Sequence, residues 1–214
     1  MDHYILIDDL RSLLYAVNLG SIDLHPFLAE IDNLEHPTFC VIDLDPHDIA
    51  FDHVIEVAIA IHEILEQARI KHFCKTSGGK GLHILIPLGG QYDFDQSRQF
   101  AEIICHIINK KFPKTTSIER SPEKRPKKIY LDCLQNRRAQ SIVAPYAVRP
   151  RPKAMVSTPL SWDEVNKNLD LANYTIETVP ARLEKKGDLL KEVLGKGINM
   201  KTTLKKLTAL QEII

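Results

Sequence analysis

Apolar residues recur every three or four positions in some stretches of the chain and run almost unbroken in others. Leu10, Leu13, Leu14 and Val17 stand at helical spacing behind Asp8 and Asp9, which predicts a short helix over roughly 8–19. TFCVIDL (38–44) predicts a strand closed by Pro46. Val54, Ile55, Ala58, Ile61, Ile64, Leu65 and Ala68 make one apolar stripe, a helix over 51–69. A second strand is expected over 70–75, then the loop SGGKG (77–81) and a strand LHILIP (82–87). Asp95 can cap a helix over about 95–112 that carries Phe100, Ile103, Ile104, Ile107 and Ile108. KIYLDC (128–133) predicts a further strand.

This order is close to a βαββαβ unit, an α/β sandwich with helices on a sheet. The last third differs. Pro145, Pro150, Pro152 and Pro159 punctuate an extended run, and Ser161–Glu164 reads as a capping box opening a helix. Lys-rich helices are expected around 181–194 and 201–213. No repeat and no linker to a second core is visible, so residues 1–214 are expected to form one domain with 161–214 as a C-terminal helical extension.

Composition adds limits. At 214 residues with 44% hydrophobic and 26% charged, the chain can bury a core. Its apolar stretches are broken well before the length of a membrane helix, and its acidic start lacks the basic segment of a secretory signal. Cys40, Cys74, Cys105 and Cys133 lie far apart with no CxxC, which argues against a zinc site and a disulfide scaffold and fits a reducing cytoplasm. The net charge is zero, but it is unevenly spread. Residues 1–70 hold 14 acids and 2 bases, whereas residues 110–153 hold 3 acids and 13 bases. Two opposed fields are therefore hidden in a neutral total, and the basic one suits nucleic-acid backbones or triphosphates, or else is a solvated face.

Asp43 and Asp45 in VIDLDP share one face of a strand, roughly 6.5–7 Å apart at Cα. Adjacent carboxylates ending a buried strand repel unless something positive lies between them. A Mg²⁺ or Mn²⁺ ion is one solution, and two solvated acids at a strand end the other. Asp132 is an isolated acid in a basic stretch. It can complete a three-carboxylate, two-metal site, or pair with Lys128 or Arg125. SGGKG is not a Walker A loop. Ser77, Gly78, Gly79 and Lys80 can cradle an anion, with His83 following as a donor, or they can form a plain hairpin turn with a core histidine behind it.

VIDLDP (41–46), TSGGKGLHILIPL (76–88), YLDCLQN (130–136), APYAVRPRP (144–152) and STPLSWDEV (157–165), with YILIDDL and GSIDLHP before them, resemble the polymerase domain of bacterial DNA ligase D, in the archaeo-eukaryotic primase superfamily. The resemblance spans nearly the whole chain. It implies a primase-polymerase fold, α/β (α+β), with a βαββαβ-like, RRM-type catalytic sheet covered by helices. It makes Asp43, Asp45 and Asp132 the catalytic metal ligands for two Mg²⁺ or Mn²⁺ ions. His25, Ser77, Gly78, Gly79, Lys80, His83, Arg125, Gln135 and Arg149 become nucleotide-binding residues, and Lys124, Lys127, Arg137, Arg138 and Arg151 contact DNA. The implied function is extension of DNA ends with NTPs or dNTPs in non-homologous end joining, in a bacterial, nucleoid-associated setting. Implied partners are DNA ends or gapped duplex, a ligase, a Ku-type end-binding protein or a separate N-terminal piece, and no membrane. Family members carry a further N-terminal segment before the part aligned with Met1, so the chain is expected to be a fragment, a split-gene product or a short homologue. The alternative functions are a weakly active or inactive module that binds DNA ends or a partner, and a metal-dependent nuclease or phosphodiesterase.

Overall fold

Hydrogen-bonded caps and a central sheet order the chain, of which the computed structural model describes residues 4–211. Asp9 caps the first helix, α1 (Leu10–Asn18), by accepting the Ser12 N–H at 2.7 Å, while Ser12 Oγ receives the Asp9 N–H. The buried residue of α1 is Ala16, and Leu10, Leu14, Tyr15 and Val17 face solvent. The chain continues through β1 (Phe39–His47), α2 (Phe51–Gln67), β2 (Phe73–Thr76), β3 (Leu82–Pro87), α3 (Phe94–Lys111), β4 (Thr116–Ser117) and β5 (Lys128–Asp132). It ends with β6 (Pro159–Leu160), α4 (Val179–Lys186) and α5 (Met200–Gln211).

The sheet order is β4-β5-β1-β3-β2-β6, with every neighbouring pair antiparallel except β4 and β5. Without its two-residue outer strands, the order β5-β1-β3-β2 is that of a βαββαβ unit, as the hydrophobic pattern implied. One face is dry. Ile42 and Leu44 of β1, Ile84 and Ile86 of β3 and Leu131 of β5 pack with Ile61 and Leu65 of α2 and Phe100 and Ile104 of α3. The other face is covered only in patches: Leu28 and Ile142 gather at Val41, and Leu190 and Val193 at Leu85. Val165, Leu169, Met200 and Leu207 from the last third join the main core.

Several expected boundaries move, each for a local reason. Pro46 does not close β1. The pairing with β3 ends at Leu44, and beyond it β1 is bonded to β5 alone, so an edge position tolerates a residue without an N–H. The cap of α3 is Asp93, not Asp95: Asp93 accepts the Gln96 N–H at 2.7 Å and Gln96 Oε1 receives the Asp93 N–H. β2 starts at Phe73 rather than residue 70. The Ser161–Glu164 box forms, but it opens a single 3₁₀ turn and not an α-helix. The helix expected over 181–194 stops at Lys186, where Gly187 takes φ +72°, and resumes as a 3₁₀ turn at Lys191–Leu194. Residues 212 and 213 of the last expected helix lie outside the described residues.

One side chain takes the place of missing strand. β5 ends opposite Asp43, and just past that point Asn136 Oδ1 accepts the Val41 N–H at 2.8 Å while its Nδ2 donates to Val41 O at 2.7 Å. The amide thus satisfies the next backbone groups of β1 and, through Cys133 O at 2.9 Å, fixes the turn after Asp132. Asn136 is fully buried. Asn136→Ala leaves a buried N–H and C=O unmatched and should lower unfolding free energy by about 3 kcal/mol in urea titrations, with an unchanged m-value.

Candidate active site

Strand register places four polar side chains in one line. Asp43 of β1 stands opposite Asp132 of β5 on one side and His83 of β3 on the other, and His83 stands opposite Lys75 of β2. The row Asp132–Asp43–His83–Lys75 therefore crosses four strands, on the face away from α2 and α3. Asp45 follows two residues along β1, opposite Tyr130. Neighbouring strands are about 4.8 Å apart, so each member of the row acts directly on the next.

The line is electrostatically tense. Burial pushes the Asp43 carboxyl up to about 8, and repulsion from Asp132 and Asp45 adds to it, against the pull of Lys75 and Arg149. Asp132 is also raised by burial, offset by hydrogen bonds from Leu134 N–H at 2.8 Å and Gln135 Nε2 at 3.1 Å. Lys75 is fully buried and donates to Ser157 Oγ at 2.7 Å. Burial pulls its ammonium down to about 7, against the attraction of Asp43. His83 Nε2 lies 3.4 Å from Asp43 Oδ1, and burial, with Lys75 and Arg149 nearby, keeps this imidazole neutral. Its Nδ1 is buried with no partner.

A cleft of about 420 Å³ opens over this face, lined by Asp43, Asp45, His83, the 77–81 loop, His25, Gln135, Arg149 and Arg151. The loop is a closed hairpin. Ser77 N–H donates to Gly81 O, and Ser77 Oγ accepts the N–H groups of Gly79 and Gly81, both at 3.1 Å. Those two N–H groups thus hold the loop's shape. Two glycines are required by space: a Cβ on Gly81 would lie 2.1 Å from Leu44 O, and one on Gly78, at φ +67°, 2.5 Å from Arg149 Cγ. Lys80 is exposed at the rim.

Two arginines reach inward. Arg149 Nη1 donates to Ser77 O at 3.5 Å, and its Nε, 3.2 Å from Asp23 Oδ1, lacks the alignment of a hydrogen bond. The same Asp23 oxygen holds His25 Nε2 at 2.8 Å. Arg125 is buried, stacked 4.3 Å over Tyr130, with Nη2 3.8 Å from Asp45 Oδ2, and with Nε and Nη1 unpartnered. Donors left unmatched beside a carboxylate-lined cleft suit a polyanionic ligand.

The profile of the family "LigD, primase-polymerase domain" matches residues 1–190. The chain belongs to this family. It is 34% identical over 175 residues to a multifunctional non-homologous end joining protein LigD of Pseudomonas aeruginosa, covering 81% of this chain and 21% of that protein. It is 32% identical over 186 residues to a bifunctional LigD of Bacillus subtilis, covering 86% and 30%. The chain thus spans about a fifth to a third of the curated relatives it matches. Its fold superposes on the polymerase domain from Mycobacterium tuberculosis ligase D, solved in complex with DNA, with a TM-score of 0.79 and 26% identity over 90% of this chain and 70% of that one.

The remaining residues anticipated in this LigD-family chain are distributed unevenly. Lys124, Lys127 and Arg151 are exposed. Arg137 and Arg138 line a separate cleft of about 550 Å³ with Glu35, Asp93, Asp95 and Arg98, and Arg138 pairs with Glu35 at 2.6 Å. Asp132 has neither pairing considered for it: Lys128 Nζ donates to Pro113 O at 2.7 Å, and Arg125 faces Asp45. Lys75 and Asp23 escaped the sequence reading. The signal for Lys75 was a lysine inside the apolar strand FCKT, and for Asp23 the acid two residues before His25. All four cysteines are free and buried. No helix among the described residues is long and apolar enough to cross a membrane. Among the described residues, a cluster able to hold one metal ion lies elsewhere, at His62, Glu66 and His72; the three carboxylates do not all come within 4.8 Å of one another.

The pH dependence of stability follows from two desolvated groups. Asp43, raised from 3.8 to about 8, binds more protons folded than unfolded between those values, so stability falls as pH rises through that window. Lys75, lowered from 10.5 to about 7, acts oppositely, and stability rises as pH climbs from about 7 to 10.5. Metal-free protein should therefore show a minimum of melting temperature near neutral to mildly alkaline pH. Asp43→Asn should remove the falling limb, and excess Mn²⁺ should raise the minimum for the wild type but not for the variant.

Proposed function

We propose that this chain is a primase-type nucleotidyltransferase that extends DNA ends with nucleoside triphosphates, folding and acting as one unit. The observation that carries the reading is the half-buried Asp43 between Asp132 and His83, facing a cleft rimmed by the 77–81 hairpin and Arg149. Membership of the LigD primase-polymerase family supports it, as does the likeness to a polymerase domain solved with DNA.

The donor set fits divalent cations. Asp43, Asp45 and Asp132 offer only oxygen ligands, and the Asp43 carboxyl is held near 8 by burial and its acidic neighbours, a penalty that a cation relieves. Two such ions would activate the primer 3′-hydroxyl and neutralise the triphosphate and its leaving group. The protein's own groups account for the rest. Neutral His83 holds Asp43 from one side, and Gln135 with the Leu134 N–H fixes both oxygens of Asp132. Arg149, Lys80 and Ser77 bind and orient the triphosphate, and His25, tied to Arg149 through Asp23, completes the nucleotide side. Arg125 places its Nη2 3.8 Å from Asp45 and offsets the charge there.

The DNA lies along the basic side, with Lys124, Lys127 and Arg151 meeting phosphates near the cleft. Arg137 and Arg138 would extend the contact only after Arg138 releases Glu35. The buried free thiols agree with work in a reducing bacterial cytoplasm at the nucleoid, alongside a ligase and an end-binding protein.

Primer extension on a gapped or overhanging duplex with Mn²⁺ and NTPs tests this. Asp43→Ala, Asp45→Ala and Asp132→Ala should each lower the rate by about 10³-fold or more, several kcal/mol of transition-state stabilisation. Arg149→Ala should act mainly by raising KM for the triphosphate. No incorporation by the wild type at high protein concentration, together with no metal-dependent nucleotide binding, overturns the reading. Binding of a 5′-phosphate duplex without turnover, unchanged in Asp43→Ala, assigns the chain to end binding instead.

A further inference from the structure

A second cluster of ligand atoms lies on the helix-covered side of the sheet, away from the carboxylate row. His62 and Glu66 sit one turn apart near the end of α2, and His72 lies just before β2. One ligand atom from each comes within 4.8 Å of the others. The hydrogen bonds define the tautomers. His72 Nδ1 lies 2.7 Å from Ile70 O, and since a carbonyl only accepts, this nitrogen carries the proton. The lone pair of His72 is therefore on Nε2, which points at His62 Nδ1 at 2.7 Å. A ring N–H anchored to a backbone carbonyl is the arrangement that orients a metal-ligating histidine. His72 is buried, and burial holds both imidazoles below their ordinary value, in the neutral form that ligates.

The second ring is held as firmly. Trp162 stacks on His62 with centroids 4.1 Å apart and planes 13° apart, and its Nε1 donates to His72 O at 3.4 Å. Glu66, with 64% of its side chain exposed, brings Oε1 to 4.0 Å from the His72 ring at Nδ1. Two imidazoles and a carboxylate with a fourth position open to water form a zinc-type donor set, unlike the all-oxygen set of the cleft.

We propose that His62, Glu66 and His72 bind one Zn²⁺-class ion, which joins the end of α2 to the start of β2 under Trp162. The ion takes the place of the proton between the rings. His62 gives up its Nδ1 proton to solvent and takes one at Nε2, so both rings stay neutral and no net proton is released. Cysteine spacing argued against zinc; the histidines provide a site of a different kind.

Trp162 is the chain's single tryptophan, so it reports the site directly. Co²⁺ titrated into the whole chain should quench its fluorescence saturably with one equivalent, and Zn²⁺ should reverse the quenching while millimolar Mg²⁺ does not. Glu66→Gln should weaken binding about 10-fold or more, and His62→Gln should abolish it while leaving primer extension unchanged. Asp43→Asn, which disables the carboxylate row, should quench as the wild type does. Zn²⁺ should raise the melting temperature of the wild type but not of His62→Gln. No saturable quenching, or equal quenching in Glu66→Gln and His62→Gln, means the rings share only a proton and overturns the site. Quenching lost in Asp43→Asn alone places the ion in the cleft and overturns it equally.

Discussion

Asp43 occupies the position where a carboxylate is hardest to keep ionised: the middle of a sheet, half-buried, with a second carboxylate on the next strand and a third two residues along its own. Such a charge persists only if positive groups surround it. Lys75 lies two strands away in the same row, Arg149 reaches in from a loop, and His83 stays neutral between Asp43 and Lys75. The rest of the site follows from this need. Ser157 receives the Lys75 ammonium, Gly78 leaves room for the Arg149 stem, and Gly81 lets the 77–81 hairpin close against β1. The result is a row with carboxylates at one end and a buried ammonium at the other, bridged by a neutral imidazole.

The dry face explains how such a row is held. Ile42, Leu44 and Ile84 alternate with Asp43, Asp45 and His83, so every carboxylate or imidazole on the cleft side is matched by an aliphatic residue under α2 and α3. A one-residue slip of β1 would bury the acids against the helices and expose the isoleucines, which makes register and chemistry the same constraint.

Much of this was legible in the sequence. The long apolar stripes of α2 and α3 and the strands around VIDLDP and LHILIP have strong periodicity, and periodicity survives tertiary packing. The Asp43, Asp45 and Asp132 set was visible as acids ending apolar strands. What the sequence hid depends on partners remote in the chain. Lys75 reads as an ordinary charge until Ser157 meets it, Asn136 as a turn residue until it bonds to Val41, and β6 as a proline-rich loop until Cys74 pairs with Leu160. The Asp93 cap was missed by two residues because either acid satisfies the local rule. Gly187 ended a helix that composition alone would have carried further.

The pairing of β1 with β5 also has a kinetic consequence. Asp43 and Asp132 meet across 89 residues of chain, and the ties at either side, Asn136 to Val41 and Lys75 to Ser157, span 95 and 82. Contacts this non-local form slowly, because loop-closure entropy is lost before they reward it. The hairpin of β2 and β3 and the two long helices can assemble early from nearby residues, whereas the carboxylate row exists only once the outer strand has docked. A chain still emerging from the ribosome therefore cannot set Asp43 opposite Asp132 until residue 132 has been made and folded back.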